Sequence, residues 1–242
     1  MTIAEDTASL DSRASTSTDD PSATFGSGGS EPYAVALRDA DSPVLFLHAT
    51  HRGRLAGAPM DVARWNAAAD SVDLSLLQSV RGPVLDIGCG PGRMVRAAAA
   101  LGVEALGIDV SPTAIDIARE SGLDVLLASV FDDIPAMGAW QTALLVDGNI
   151  GIGGDVSAML ARCRQLLAPD GEIVVEVDPR HDVDNTYTGR LVDTDGRESA
   201  PFPWAEVGFA ALVRRAEPLG LAVRQSWELE GRAFCRLAAS TA

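Results

Sequence analysis

The sequence predicts an α/β fold with a mostly parallel, doubly wound sheet, helices on both faces and an antiparallel hairpin at the C-terminal end. Two observations carry this prediction. From Gly82 onward, short apolar runs alternate with stretches of helical periodicity. The segment 221–240 then contains two strand-like runs joined at Glu230-Gly231, which is typical of a hairpin.

Five apolar runs are the predicted parallel strands: PVLDIG, EALGID, DVLLAS, TALLVD and EIVVEVD. Helical spacing of apolar residues predicts helices near 92–101, 112–121 and 155–168. The chain then passes through a polar segment, 180–200, before a further helix predicted at 204–219.

Composition divides the chain into three predicted parts. Residues 1–30 are rich in Ser, Thr, Asp and Gly, so we expect a disordered tail that buries too little apolar surface to offset the entropy of ordering. Residues 31–79 hold two short apolar runs and a helical pattern behind Asp61, which predicts a small N-terminal cap. The main domain is predicted over 80–242.

Charge and cysteine usage narrow the class of partner. The net charge of −15 repels phosphate backbones and anionic membranes, so we expect a small-molecule partner, with neither nucleic acid nor membrane. The cysteines Cys89, Cys163 and Cys235 have no metal-ligand or disulfide spacing, so no metal site is predicted.

With an acidic N-terminus and no long apolar run, the sequence predicts a cytoplasmic protein, and it leaves the oligomeric state open.

The segment VLDIGCGPGR carries the strongest chemical signal. An apolar strand ends in Asp86, turns on glycines and enters a helix, a pattern that lets a ligand approach backbone N–H groups. A second acid, Asp109, closes the next strand about 20 residues later, where a ribose is bound in dinucleotide folds. Arg93 stands where the third glycine of a dinucleotide motif is expected, which disfavours a nicotinamide cofactor.

In LDIGCGPG and LGIDVSPTAIDIAR the chain resembles the class I S-adenosylmethionine-dependent methyltransferases, over roughly residues 80–240. The resemblance implies a Rossmann-like class I methyltransferase fold with a seven-stranded sheet. It also implies S-adenosylmethionine as cofactor, S-adenosylhomocysteine as product and a small-molecule methyl acceptor. Two alternatives stay open: a Rossmann-type nicotinamide-dependent oxidoreductase, and a non-catalytic module that binds S-adenosylmethionine.

The resemblance also implies a set of cofactor-binding residues. Asp109 and the adjoining Val110 would hold the ribose, Gly92 would let the following helix approach, and Asp132 is an alternative to Ser129 near the adenine. The segment after the fourth parallel strand would meet both the cofactor amine and the acceptor. The full predicted set is Asp86, Gly88, Cys89, Gly90, Gly92, Asp109, Val110, Ser129, Val130, Phe131, Asp147, Gly148 and Asn149.

Methyl transfer requires an aligned acceptor and, for a hydroxyl or protonated amine, removal of a proton. In an open α/β sheet ligands lie beyond the carboxyl ends of the strands, which makes Asp147, Asp178 and His181 candidate bases. His48 and His51 of the predicted cap are further candidates. We retain His51, Asp147 and His181 as catalytic candidates, and an ordinary surface or packing role is the alternative for each histidine.

Overall fold

The computed structural model describes residues 24–28, 31–39, 44–49 and 57–240. Its strands are β1 (Leu45–Ala49), β2 (Gly57–Met60), β3 (Val84–Ile87), β4 (Ala105–Asp109), β5 (Val125–Leu127), β6 (Trp140–Leu145), β7 (Leu167–Val177), β8 (Asp184–Asp193), β9 (Phe202–Val207), β10 (Leu221–Leu229) and β11 (Arg232–Ala239). Its α-helices are α1 (Pro32–Arg38), α2 (Val62–Asn66), α3 (Ser71–Gln78), α4 (Arg93–Ala100), α5 (Pro112–Glu120), α6 (Val156–Leu166) and α7 (Phe209–Ala216).

The larger sheet has seven strands in the order β10-β11-β7-β6-β3-β4-β5. The five strands from β7 to β5 run parallel, and β11 and β10 are antiparallel, so the predicted fold class is confirmed. Apolar side chains are buried on both faces of β3 and β6, as expected for parallel strands between helices. At the hairpin, Glu230 and Gly231 take φ values of 51° and 79°, the conformation that a two-residue turn requires.

Helices α4, α5 and α6 lie at the three positions where helical spacing predicts them. Each of the latter two starts at a side-chain cap: Ser111 accepts from the N–H of Ala114, and Asp155 accepts from the N–H of Ala158. The order of strands places β3, β4 and β6 side by side, so the loops after these strands meet at one edge of the sheet.

A second sheet, absent from the sequence prediction, has the order β2-β1-β8-β9 with antiparallel pairing throughout. One sequence prediction is wrong here, because the helix predicted at 204–219 begins as β9 and becomes helical only after Gly208. The polar segment 180–200, for which the sequence predicts no element, contains β8. The reason is that β8 buries only alternate residues, Gly189, Leu191 and Asp193, in its second half, so its apolar content is low.

Of the tail predicted over 1–30, the structure describes 24–28, and in that stretch Phe25 packs against several aromatic rings. The rest of the predicted tail lies outside the described residues. The division into cap and main domain stays a prediction. Within the described ranges, no helix is both long and apolar enough to cross a bilayer, and those same ranges hold no cluster of potential metal ligands.

Candidate functional site

The glycine loop after β3 is held by β4. The backbone N–H groups of Gly88 and Cys89 both donate to the carbonyl oxygen of Ile108, at 2.8 and 3.0 Å. Gly92, which precedes α4, has φ of 87°, and a Cβ atom there would lie 2.5 Å from a methyl carbon of Leu123. Glycine is therefore required at Gly92 both by the backbone angle and by the close approach of helix to sheet.

Asp86, the next-to-last residue of β3, is a buried acid without a hydrogen-bond partner among the described residues. Its side chain is 1% exposed, and neither carboxylate oxygen has a hydrogen-bond partner among the described residues. Burial raises the pKa of Asp86 to about 8, and the nearby Asp147 and Asp109 contribute to that rise. A group of this kind is costly to bury alone, which indicates that it faces a ligand carrying a donor or a positive charge.

Asp109, the last residue of β4, connects the glycine loop after β3 to the loop after β4. Its Oδ2 accepts from the backbone N–H of Gly90 and its Oδ1 from that of Ser111, each at 2.8 Å. Burial raises the pKa of Asp109, and these backbone hydrogen bonds oppose that rise. The carboxylate is thus fixed in orientation at the mouth of the site.

Two adjoining cavities lie over these loops. The inner cavity, about 50 Å³, is lined by Asp86, Cys89, Gly90 and Asp147 together with aromatic side chains. The outer cavity, about 300 Å³, lies over the end of β4. The residues that line both cavities are Phe25, Gly88, Asn149 and Trp204.

The structure brings the predicted cofactor residues together around these cavities. The outer cavity is lined by Asp109, Val110, Ser129, Val130 and Phe131. Gly92 and Gly148 are not among the lining residues, and both have a left-handed backbone that shapes the adjacent loops. The carboxylate of Asp132 accepts from the N–H of Ser129 at 2.8 Å and thereby holds the loop rather than lining a cavity. The assignment of these side chains to a cofactor stays a prediction.

Asn149 connects the loop after β6 to the glycine loop. Its side-chain amide donates to the carbonyl oxygens of Ile87 and Gly88, each at 2.9 Å. A Cβ atom on Gly88 would lie 2.7 Å from that amide nitrogen, so the contact depends on glycine there. Asn149 therefore positions the floor shared by the two cavities.

Asp147 belongs to a cluster of paired charges beneath the inner cavity. Its carboxylate pairs with Arg64 at 2.5 Å and with Arg93, and its backbone N–H donates to Glu176 at 2.7 Å. The full cluster comprises Arg64, Arg93, Arg232, Asp70, Asp73, Asp147 and Glu176. A carboxylate whose oxygens are engaged by two guanidinium groups is fixed in place, so this geometry favours a positioning role for Asp147.

The other base candidates lie away from the cavities or cannot be placed. His181 is 63% exposed beside Asp182, and the carboxylate of Asp178 bonds to Arg180, which lowers the pKa of Asp178. His48 lies on β1 and lines neither cavity. His51 lies outside the described residues. The catalytic roles of His51, Asp147 and His181 stay predictions.

Sequence reasoning missed several residues of this site, among them three aromatic residues and one arginine. Phe25, Tyr33 and Trp65 line the inner cavity, and Arg93 is 4% exposed beneath it. Burial raises the pKa of Tyr33 well above its usual value, with a further contribution from Asp109. Arg93 was visible in the sequence only as a missing glycine, and the aromatic residues come from segments whose position against the sheet no local pattern reveals.

A family model described as a methyltransferase domain matches residues 84–171. A ubiquinone biosynthesis O-methyltransferase of Cereibacter sphaeroides is 34% identical over 96 residues, covering 38% of this chain and 39% of that protein. A protein of the same name from Xanthomonas oryzae pv. oryzae is 29% identical over 189 residues, covering 75% and 65% of the two chains. The chain thus spans less than two thirds of the length of either relative.

Solved structures share the fold. A SAM-dependent methyltransferase from Bacteroides fragilis in complex with S-adenosyl-L-homocysteine matches with a TM-score of 0.73 at 20% identity, over 87% of this chain and 95% of that chain. The CcbJ methyltransferase from Streptomyces caelestis matches with a TM-score of 0.53 at 17% identity, over 70% and 88% of the two chains.

Proposed function

We propose that this chain is a class I S-adenosylmethionine-dependent methyltransferase that transfers a methyl group from S-adenosylmethionine to a small-molecule acceptor. The observation that carries this proposal is the buried, unpartnered carboxylate of Asp86 at the base of the inner cavity. A cationic amine of the cofactor would supply the missing partner and favour ionisation of Asp86.

The residues around the two cavities fit such a cofactor. Asp86 and the backbone of the glycine loop would face the methionine part, Asp109 the ribose, and the Ser129–Phe131 segment the adenine. The outer cavity of about 300 Å³ lies at the lower end of the range for small-ligand sites. When bound, S-adenosylmethionine supplies an electrophilic methyl group on a positively charged sulfur.

The chain's own residues contribute orientation and exclusion of water. Asn149 and the glycine loop form a fixed floor where the cavities meet, and Phe25 and Trp204 cover that junction with apolar surface. Holding the acceptor atom in line with the methyl group accounts for several kcal/mol in reactions of this kind. The Asp147 cluster keeps the wall beside this junction rigid through its paired charges.

Parallel calorimetric titrations with S-adenosylmethionine, S-adenosylhomocysteine, NADH and NADPH test the proposal. Micromolar binding of the first two with no heat from the others is expected. Binding of a nicotinamide cofactor alone would support the oxidoreductase alternative instead. Binding of S-adenosylmethionine without turnover of any acceptor in a broad screen would favour the non-catalytic module.

The finer features of the proposal are a partner of low molecular weight and a cytoplasmic location. The net charge of −15 supports a partner other than nucleic acid. All three cysteines are buried free thiols, which supports a reducing compartment.

A further inference from the structure

Four aromatic side chains form a pocket around the ring of Phe25. We call Tyr33, Trp65, Phe202 and Trp204 the aromatic box, and residues 24–28 the strap. The centroid of the Phe25 ring lies 5.1 Å from Tyr33, 6.3 Å from Trp65, 5.4 Å from Phe202 and 5.5 Å from Trp204. These distances are those of favourable aromatic pairs, so Phe25 occupies a site suited to one aromatic ring.

The box lies where an acceptor has to react. Phe25 and Trp204 line both the inner and the outer cavity. In S-adenosylmethionine the sulfur joins the methionine part to the adenosine part, so a cofactor extending over both cavities carries its methyl group at their junction. This step rests on the proposed function. An acceptor therefore has to approach the place that the Phe25 ring now fills.

The strap is held by the Phe25 side chain, by its own turn and by Gly26, which is buried close to the Tyr33 ring. Its backbone forms a turn in which the N–H of Ser27 donates to the carbonyl of Thr24 at 3.1 Å and the N–H of Thr24 donates to the Ser27 hydroxyl at 3.4 Å. No residue of the strap belongs to either sheet in the part of the chain that the structure describes. Withdrawing Phe25 would thus break side-chain contacts without breaking a strand ladder.

We infer that the aromatic box recognises a planar aromatic ring of the methyl acceptor, and that Phe25 of the strap occupies the box until the acceptor displaces it. Three of the four box rings meet Phe25 at interplanar angles of 61° to 78°, an edge-to-face arrangement that depends on the ring quadrupole. A saturated ring of equal size lacks that quadrupole. Phe25 competes with the acceptor for the box. The apparent affinity of the protein for the acceptor is therefore its intrinsic affinity multiplied by the fraction of molecules in which Phe25 has left the box.

The test uses p-cresol, whose ring matches the Phe25 side chain, and 4-methylcyclohexanol as the saturated counterpart. Both are titrated into the wild-type chain and the Phe25→Ala variant while tryptophan fluorescence, to which the box residues Trp65 and Trp204 contribute, is recorded. Phe25→Ala is expected to bind p-cresol at least tenfold more tightly than wild type, with weaker gain for 4-methylcyclohexanol. Phe209→Ala, at the start of α7 and outside both cavities, is the matched control and should bind as wild type does.

A second variant tests the box itself. Adding Trp65→Leu to Phe25→Ala removes one wall and should abolish the gain in p-cresol affinity, while thermal melting checks that each variant is folded. Equal p-cresol affinity in wild type and Phe25→Ala, or equal gains for both probes, would overturn the inference. Each titration is made alone and with saturating S-adenosylhomocysteine, so a failure of S-adenosylhomocysteine to bind contradicts the proposed function while the box is still tested.

Discussion

Replacing Asp86 by asparagine should stabilise the ligand-free protein and weaken cofactor binding at the same time. The side chain is buried without a partner, and burial raises its pKa from 3.8 to about 8. In the unfolded chain Asp86 ionises near pH 4, whereas in the folded protein it keeps its proton until about pH 8. The folded state thus binds more protons in this interval, and the free energy of unfolding falls as the pH rises.

The magnitude follows from that interval. A shift of about 4 pKa units corresponds to about 6 kcal/mol above pH 8, at about 1.4 kcal/mol per unit. Somewhat more than half of this loss of wild-type stability occurs between about pH 5.5 and about pH 8.5. The amide introduced by Asp86→Asn would also lack a partner, which lowers the stability of the variant by the same amount at every pH. We therefore expect the stability of Asp86→Asn relative to wild type to rise by about 3 kcal/mol across this range.

Urea unfolding of both proteins at several pH values measures this difference, and the exposed Asp116→Asn variant on α5 is the matched control. In Asp86→Asn, S-adenosylhomocysteine should bind at least tenfold more weakly at pH 8, because its ammonium group loses an ionised partner. A stability difference that does not change with pH, or an Asp86→Asn protein less stable than wild type at pH 8.5, would refute the reasoning.

Three further predictions concern the loops and thiols. Asp109→Ala should weaken S-adenosylhomocysteine binding about thirtyfold in calorimetry while the protein stays folded by circular dichroism, and unchanged affinity would contradict the ribose assignment. Gly151→Ala should destabilise by about 3 kcal/mol or more, because its Cβ would lie 2.1 Å from the carbonyl oxygen of Ala205. The matched control is Gly102→Ala, where a Cβ meets open space, and it should cost about 1 kcal/mol in thermal melts for its left-handed backbone alone. The Cys163 thiol, whose pKa burial raises to about 12, should react with a thiol reagent at pH 8 only after denaturation, and prompt reaction would show that it is accessible.

The parallel half of the fold could be predicted because its strands are buried on both faces and therefore read as continuous apolar runs. Asp86 and Asp109 could be placed at the site because each follows such a run directly, and neighbouring parallel strands end at one edge. Both the strand and its functional residue are local features of the sequence in these cases.

The small sheet and the aromatic box could not be predicted in this way. Strand β8 is half exposed, so its composition resembles that of a loop, and β9 is followed at once by the apolar pattern of α7. Phe25 and Trp204 meet only in the folded chain, and the pairing of Asp147 with Arg64 joins residues 83 positions apart. Such contacts depend on tertiary packing, which hydrophobic periodicity does not encode.

The pairing of β1 with β8 has a consequence for how acceptor preference can be altered. Five residue pairs, from Leu45–Asp193 to Ala49–Gly189, join two stretches that are far apart in the sequence. A chimera that exchanged only the first stretch with a relative would give β8 a foreign neighbour, disturb the ladder and displace the covering side chain of Trp204 on the adjoining β9. Grafting a new specificity onto this chain therefore requires the transplant of both stretches together, and recombination at a single crossover point would seldom yield a working hybrid.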